Sequence, residues 1–369
     1  MKRIALIAIV FCMISLNGFS YTIKIGYIAP LSGKLSILGE TFLHGMQISL
    51  DNSTELIVKD SNNNIAEAYN DLIQNGVDII VGPFTKQNVS FVNEKTCSSG
   101  KTAILPMFYP DNACSGAIGY RYDPVEAARQ LANIVCESKT SNLLVLYALE
   151  LTSLNEKNAF LEKLHSCGIN PDSEGFLSGR KTYNSYFKHL FMIHKRKHIK
   201  SLTDKETFKY YRYRNIKNVV IFSNQSDFIK FANLFNYYDI KIKRLFTTGI
   251  FTDSSIYALD KHILKKITYI TPYYQYADNG KNLYFRHQYS QKYNQNPNQI
   301  AALGFDIGTI INSINTKDIY SYLKSIKDFY GLIGHLFFFD DAGRGVFEYR
   351  IVNYNDIKER QYELQHNKR

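Results

Sequence analysis

Short apolar runs alternate with amphipathic stretches along most of this 369-residue chain, and few folds accommodate that rhythm. The runs are brief and rich in β-branched side chains, as in Asp78-Ile79-Ile80-Val81. Strands that read as unbroken apolar runs are covered on both faces, the condition of a parallel sheet flanked by helices. The pattern predicts strands at 23–28, 55–59, 78–81 and 102–106, with helices over 38–49, 65–74 and 87–97 between them. A second series opens at Pro124, which suits a first helical position behind the capping residue Asp123. It continues with strands at 142–148, 218–222, 244–247 and 267–271 and helices at 156–166 and 227–236. Helices over 283–293, 300–314 and 319–326 follow, then a hairpin of 334–339 and 346–352 about an Asp340–Gly343 turn. Two such series predict an α/β fold of two Rossmann-like lobes with mainly parallel sheets.

Ahead of the first strand, Met1-Lys2-Arg3 precedes a thirteen-residue apolar run, Ile4–Leu16, and small residues at Gly18 and Ser20. That is the pattern of a signal peptide cleaved after Ser20, and the run is shorter than the ~20 residues of a spanning helix. Cys12 lies inside the run, so lipid attachment is not expected. Cleavage leaves a chain long enough for two domains, not membrane-spanning, in a periplasmic setting. Export excludes nucleic acid as a partner. The formal net charge is +11, of which Lys2 and Arg3 supply two; Lys-rich composition bias accounts for most of the excess. Four cysteines remain in an oxidising compartment and allow three connectivities. Cys97 and Cys114 bracket one predicted strand and are the favoured pair, while the pairing of Cys136 and Cys167 stays open.

Catalytic motifs are missing: the chain has no G-x-S-x-G, H-E-x-x-H, Walker A or C-x-x-C sequence. S-x-x-K matches, such as those at Ser178 and Ser321, lack the K-T-G partner motif. His194 and His198 are four apart, but Lys195, Arg196 and Lys197 between them disfavour a metal cation. The chain therefore reads as non-enzymatic, without cofactor or metal. Ligands of open α/β sheets bind beyond the carboxyl ends of the strands. The loops there hold Ser32, Gly33, Gly82, Thr85, Tyr109, Glu150 and Asn224, the candidate ligand residues, joined by Phe251.

The same loops carry a family resemblance. Gly26-Tyr27-Ile28-Ala29-Pro30-Leu31-Ser32-Gly33, followed by Gly39 and Gly45, resembles the opening of the type I periplasmic solute-binding proteins of the leucine-binding group. Val81-Gly82-Pro83, Leu303-Gly304-Phe305-Asp306 and Gly331–Gly343 resemble their later signatures, in the same order. The resemblance implies the type I periplasmic-binding-protein fold with discontinuous lobes, 21–140 with 272–327 and 141–271 with 328–369. A three-strand hinge would let them close on a ligand.

Within that superfamily the chain is most similar to the C-terminal domain of the penicillin-binding-protein activators. The matching stretches are Val81–Val89, Tyr120–Ala132, Arg212–Phe222 and Phe235–Phe251. That similarity implies docking on a cell-wall synthase. Unlike the activators, the sequence shows neither a lipid-site cysteine nor a helical-repeat domain. The alternative is the binding subunit of an ABC importer, with an envelope permease as partner and an amino acid or similar small polar ligand. In that reading Thr85 would meet the ligand's carboxylate, Glu150 its ammonium, and Tyr109 would wall the site. Against it, the position usually acidic reads Gly249-Ile250-Phe251, and bulky Phe84, Met107, Phe108 and Tyr109 stand near the predicted cleft. The insertion His194–Arg214 sets eight basic residues against Asp204 and Glu206. Its Lys195, Arg196, Lys197, Arg212 and Arg214 are the candidate partner-docking residues. Mass spectrometry of the exported chain is expected to find Tyr21 at its N-terminus; a retained leader would overturn the cleavage assignment.

Overall fold

The computed structural model describes residues 22–52, 54–195, 208–249, 256, 258–277 and 279–358. The leader, Arg196, Lys197, Phe251 and the tail from 359 lie outside the described residues. Among the described residues no helix is long and apolar enough to cross a membrane. The chain packs as two compact units. Of the described residues, one takes in those up to Arg121 with Ile307–Ile326 and Phe339–Gly345; the other takes in those of Tyr122–Asp306, Lys327–Phe338 and from Val346 onward.

The first unit contains β1 (Lys24–Ala29), α1 (Ser36–Ser49), β2 (Glu55–Asp60), α2 (Ile65–Gln74), β3 (Ile79–Val81), α3 (Lys86–Ser99), β4 (Thr102–Leu105) and β5 (Ala117–Gly119). Its five strands run parallel in the order β2-β1-β3-β4-β5, with Ile25 opposite both Leu56 and Ile79. Helix α2 shows how sequence becomes packing. Asn64 caps it by accepting from the Ala66 and Glu67 amides, and Ala68, Tyr69 and Leu72 form a buried stripe at helical spacing. Leu72 presses so closely on β1 that a Cβ at Gly26 would lie 3.0 Å from it. Phe84, expected near the ligand edge, instead lies in the core, only 2 % exposed. It packs edge-on against Tyr27 and Phe42 with centroids 5.7 and 4.9 Å away, because an apolar ring there is better buried than wet.

The second unit begins with α4 (Pro124–Glu137), β6 (Leu143–Ala148), α5 (Leu151–Ser166), β7 (Asp172–Phe176), α6 (Asn184–Phe191), β8 (His194–Lys195) and β9 (Phe208–Lys209). There follow β10 (Asn218–Phe222), α7 (Gln225–Tyr237), β11 (Arg244–Thr248), α8 (Lys261–Leu264), β12 (Ile267–Thr271) and α9 (Gly280–Tyr293). Helix α10 (Gln299–Asn312) runs from the second unit into the first, which also holds α11 (Ile319–Ser325); the remaining elements are β13 (Phe329–Tyr330), β14 (His335–Phe339), β15 (Gly345–Glu348) and β16 (Arg350–Asn353). The six-stranded sheet has the order β16-β12-β11-β10-β6-β7, parallel except for β16.

Helix α4 packs against α5, β11 and β12 and groups with the second unit, as do residues 272–306. One expectation changes. The expected second hairpin strand, 346–352, breaks at Tyr349. Its first half joins a small sheet with β13 and β14, and its second half pairs antiparallel with β12. Tyr349 is held at the break by its amide, which donates to Gln130 Oε1 at 3.0 Å, and by its hydroxyl, which accepts from the Asp123 amide at 2.8 Å.

Cys97 at the end of α3 is joined to Cys114, with Cα atoms 5.5 Å apart. Cys136 and Cys167 join the C-terminal ends of α4 and α5, with Cα atoms 6.1 Å apart. The second bridge closes 31 residues, for which loop-closure entropy gives a stabilisation of about 3–4 kcal/mol. The double variant Cys136→Ser/Cys167→Ser is expected to lose about that much in denaturant unfolding. An unchanged midpoint would show that helix packing alone fixes these ends.

Candidate functional site

Both sheets follow one plan. The order β2-β1-β3-β4-β5 in the first unit is repeated by β7-β6-β10-β11-β12 in the second. In each, the chain leaves two neighbouring strands toward opposite faces, and the loops part at that switch point to leave a crevice. The switch points lie between β1 and β3 and between β6 and β10, so the candidate loops flank them.

In the first unit the crevice is built by close backbone approach. Gly82 has φ +116°, and a Cβ there would lie 2.1 Å from the Ile28 carbonyl; only glycine fits such a position. Across from it, Gly33 turns the chain with φ +70°, and the Asn62 amide donates to Ser32 Oγ at 3.2 Å. Asp60 holds this turn by accepting from the Leu31 and Asn62 amides, each at 2.9 Å. Burial alone would raise its carboxyl; the hydrogen bonds from Leu31, Ser32 and Asn62 outweigh that and hold it below the usual range. Thr85 begins α3 without a side-chain bond to its amides, so a half-buried hydroxyl and the first-turn amides of Lys86 and Gln87 stand together at the crevice. Tyr109 does something else. Its hydroxyl donates to the carbonyls of Ala117 and Ala342, and its ring fills the space beside Gly119. Burial, then the Tyr320 and Asp340 charges, push this hydroxyl well above its ordinary range. It acts as a latch on β5.

In the second unit Asn224 caps α7, accepting from the Asp227 amide at 3.0 Å. Its own amide donates to Ser178 Oγ at 3.0 Å and Asp227 Oδ2 at 2.9 Å. Both ends of the side chain are thus engaged within the protein. Asp227 is 1 % exposed; burial raises its carboxyl, but bonds from Gly179, Ser178, Tyr183 and Asn224 outweigh that and lower it. Glu150 starts α5, half-buried, with Ser153 Oγ 3.4 Å from its Oε1. Exposed apolar side chains surround these loops. The first unit shows Leu35, Ile37 and Phe108 after β1 and β4, and the second shows Leu149, Leu151 and Leu177 after β6 and β7.

Of the basic docking candidates, Arg212 is pinned by an ion pair with Glu174 and lies over the Tyr213 ring. Lys195 is exposed on β8, and Arg214 is exposed ahead of β10. Among the described residues no group of three His, Cys, Asp or Glu side chains is placed to hold a metal.

One residue escaped the sequence reading. Glu156, on α5, is 6 % exposed and accepts from Thr248 Oγ1 at 2.6 Å, where β11 ends. Burial pushes its carboxyl up to about 7, the Thr248 hydroxyl opposes the rise, and the Glu150 and Asp123 charges add to it. The signal was spacing: Ser153, Glu156, Phe160 and Leu164 share one buried helical face.

Two such doubly wound sheets of the same order define the fold of the type I periplasmic binding proteins. Solved structures with this fold include a branched-chain amino acid ABC transporter periplasmic ligand-binding protein from Burkholderia xenovorans, at TM-score 0.68 and 15% identity over 90% of each chain. Another is the branched-chain amino acid transporter substrate binding protein LivJ from Streptococcus pneumoniae with isoleucine, at TM-score 0.60 and 19% identity over 90% of this chain and 97% of that one. A third is the C-domain of LpoA from Haemophilus influenzae, a regulator of PBP1A, at TM-score 0.63 and 15% identity over the same shares. No protein-family model and no curated protein matches the sequence.

Glu156 gives the fold a pH dependence of known sign. Its carboxyl stands near 7 when folded against 4.5 unperturbed, so between those pH values the unfolded chain loses a proton that the native one keeps. Stability therefore falls as pH rises from about 4.5 to 7, by about 3 kcal/mol in all, and levels off above. Glu156→Gln is expected to abolish that slope and to be the more stable protein at pH 8. Parallel pH profiles for the two proteins in thermal unfolding would remove Glu156 as its source.

Proposed function

We propose that this protein is an exported, non-catalytic periplasmic binding protein that acts by docking on a cell-wall synthase. The observation that carries the reading is the character of the strand ends. Among the polar groups nominated for a small ligand, Tyr109 and Asn224 are bonded to the protein itself. Large apolar side chains stand exposed beside them, from Phe108 at 43 % to Ile37 at 75 % in the first unit and from Leu149 at 49 % to Leu151 at 71 % in the second. A free amino acid presents two charged ends, and leaving either unpaired on binding costs more than the ~1–3 kcal/mol of a neutral group. Apolar side chains suit a protein surface better. The basic segment ending at Arg214 supplies charge for the same encounter. Likeness to the LpoA C-domain fits this role.

The second reading is the binding subunit of an amino-acid importer. It rests on Thr85, whose hydroxyl and neighbouring helix amides could receive a carboxylate, and on Glu150 for the ammonium. Lobe limits of 21–140 with 272–327 and 141–271 with 328–369 belong to the same resemblance.

Titration calorimetry against the twenty amino acids is expected to show nothing tighter than about millimolar, roughly −4 kcal/mol. Envelope pull-downs should recover a synthase, and recovery should drop when Lys195, Arg196, Lys197 and Arg214 become Ser. A micromolar amino acid that is lost with Thr85→Ala would establish the importer instead.

A further inference from the structure

The second unit carries a groove at the edge of its sheet remote from the candidate ligand loops. It has a volume of about 1060 Å³ and lies where β6, β7 and β10 begin and α4 and α5 end. The Cys136–Cys167 bridge lines it. One lip is the segment Tyr211–Ile216. Three of the non-glycine lining residues, Lys139, Asn142 and Tyr213, take left-handed backbone with φ of 46°, 53° and 57°. For Lys and Tyr that conformation is disfavoured and persists only where the surroundings impose it. Here they do: the Tyr211 and Arg212 amides both donate to the Phe191 carbonyl, at 3.1 and 3.2 Å. Tyr213 is held as well, its hydroxyl donating to Glu174 Oε1 at 2.5 Å. The lip is therefore fixed before any partner arrives.

The charge in this groove is uneven. Arg212 is neutralised by Glu174. Lys139 and Arg214 line the same groove, are exposed, and have no ion-pair partner among the described residues. Among the described residues Asp172 is the single acidic one in the lining. The rest of the wall mixes Ile169, Pro171 and exposed Tyr211 with the amide side chains of Asn142, Asn170 and Asn215.

We propose that this groove binds an extended acidic peptide segment of a partner protein. Lys139 and Arg214 would receive its carboxylates, the asparagine amides its backbone, and Ile169, Pro171 and Tyr211 its apolar side chains. The concavity argues for a chain: a flat anionic bilayer meets protruding cations, not cations set around a recess. The apolar wall argues for peptide over an acidic polysaccharide, which offers no side chains to bury. The proposal rests on the docking role above and gives it a location and a chemistry.

The probe is a fluorescein-labelled peptide of about ten residues alternating Glu with Leu, followed by anisotropy against the full exported chain. Controls are the same peptide with Gln for Glu, phosphatidylglycerol vesicles and polygalacturonate. The Glu peptide should bind, the Gln peptide should bind at least about tenfold more weakly, and raising salt from about 50 to about 300 mM should weaken binding severalfold. Lys139→Glu/Arg214→Glu should abolish binding, and Lys139→Arg/Arg214→Lys should keep it, with unfolding midpoints confirming that both variants fold. Equal binding of the Gln peptide, retention by the charge-reversed variant, or a preference for vesicles or polygalacturonate would each overturn the proposal. The docking role is judged separately: synthase recovery unchanged in the charge-reversed variant removes the groove but keeps that role. Peptide binding in this groove with no synthase in any pull-down removes the role and keeps the groove.

Discussion

Everything in this structure depends on parallel strands being covered on both faces. Parallel strands cannot be joined by tight turns, so each must be followed by a crossover that lays a helix on the sheet. Once both faces are covered, the polar chemistry of a sheet can surface only at its two ends. Ile25, Ile79, Ile80 and Val81 are fully buried in the first unit, as are Leu144, Val145, Val219 and Val220 in the second. None of these central positions can carry function without a large desolvation cost. The loops after the strands and the turns before them are what remains, and both sets of candidate residues are found there.

That constraint explains what the sequence disclosed. Helix α2 was legible to the residue because Asn64 marks its start and an apolar stripe marks its face. Strands β10 and β12 were legible because β-branched and aromatic residues crowd both, as Asn-Val-Val-Ile-Phe and Ile-Thr-Tyr-Ile-Thr. Five strands were missed, of which β8, β9 and β13 are only two residues each. β5 is three residues, Ala-Ile-Gly, too short for any period to emerge. β7 reads Asp-Ser-Glu-Gly-Phe and lies at a sheet edge, where charged residues guard against further pairing at the expense of strand character. Helix α5 was begun five residues late, since Leu151–Asn155 shows no clear stripe until Glu156 is placed on the buried face.

The candidate site was legible in position but not in use. Loop placement follows from strand order, and Ser32, Gly33, Gly82, Thr85, Glu150 and Asn224 do stand at the switch points. What each side chain does there depends on partners far away in sequence. Tyr109 bonds to Ala342, 233 residues on, and Asn224 is tied to Ser178 through contacts that no local pattern encodes. Phe84 looked like a ligand-edge aromatic only because its core partners Tyr27 and Phe42 lie on other elements. Sequence spacing finds where groups gather, and tertiary hydrogen bonding decides which of them stay available to a ligand.

The second unit sorts its remaining surface chemistry by strand end. Beyond the carboxyl ends lie Leu149, Leu151 and Leu177; before the amino ends lie Lys139 and Arg214, with Arg212 held by Glu174. The separation has a physical logic. Strand ends approached by helix C-termini favour nearby cations, and α4 and α5 both finish beside Lys139. Cations placed there are stabilised by the fold even without a partner, so their presence alone would be weak evidence for one. The distinguishing fact is that Arg212 is neutralised and fixed while Arg214, two residues on, is not. A surface selected only for solubility has no reason to hold one arginine rigid beside another left unpaired over a recess. An anion-binding lip does, because the paired residue fixes the backbone and the unpaired one supplies the charge.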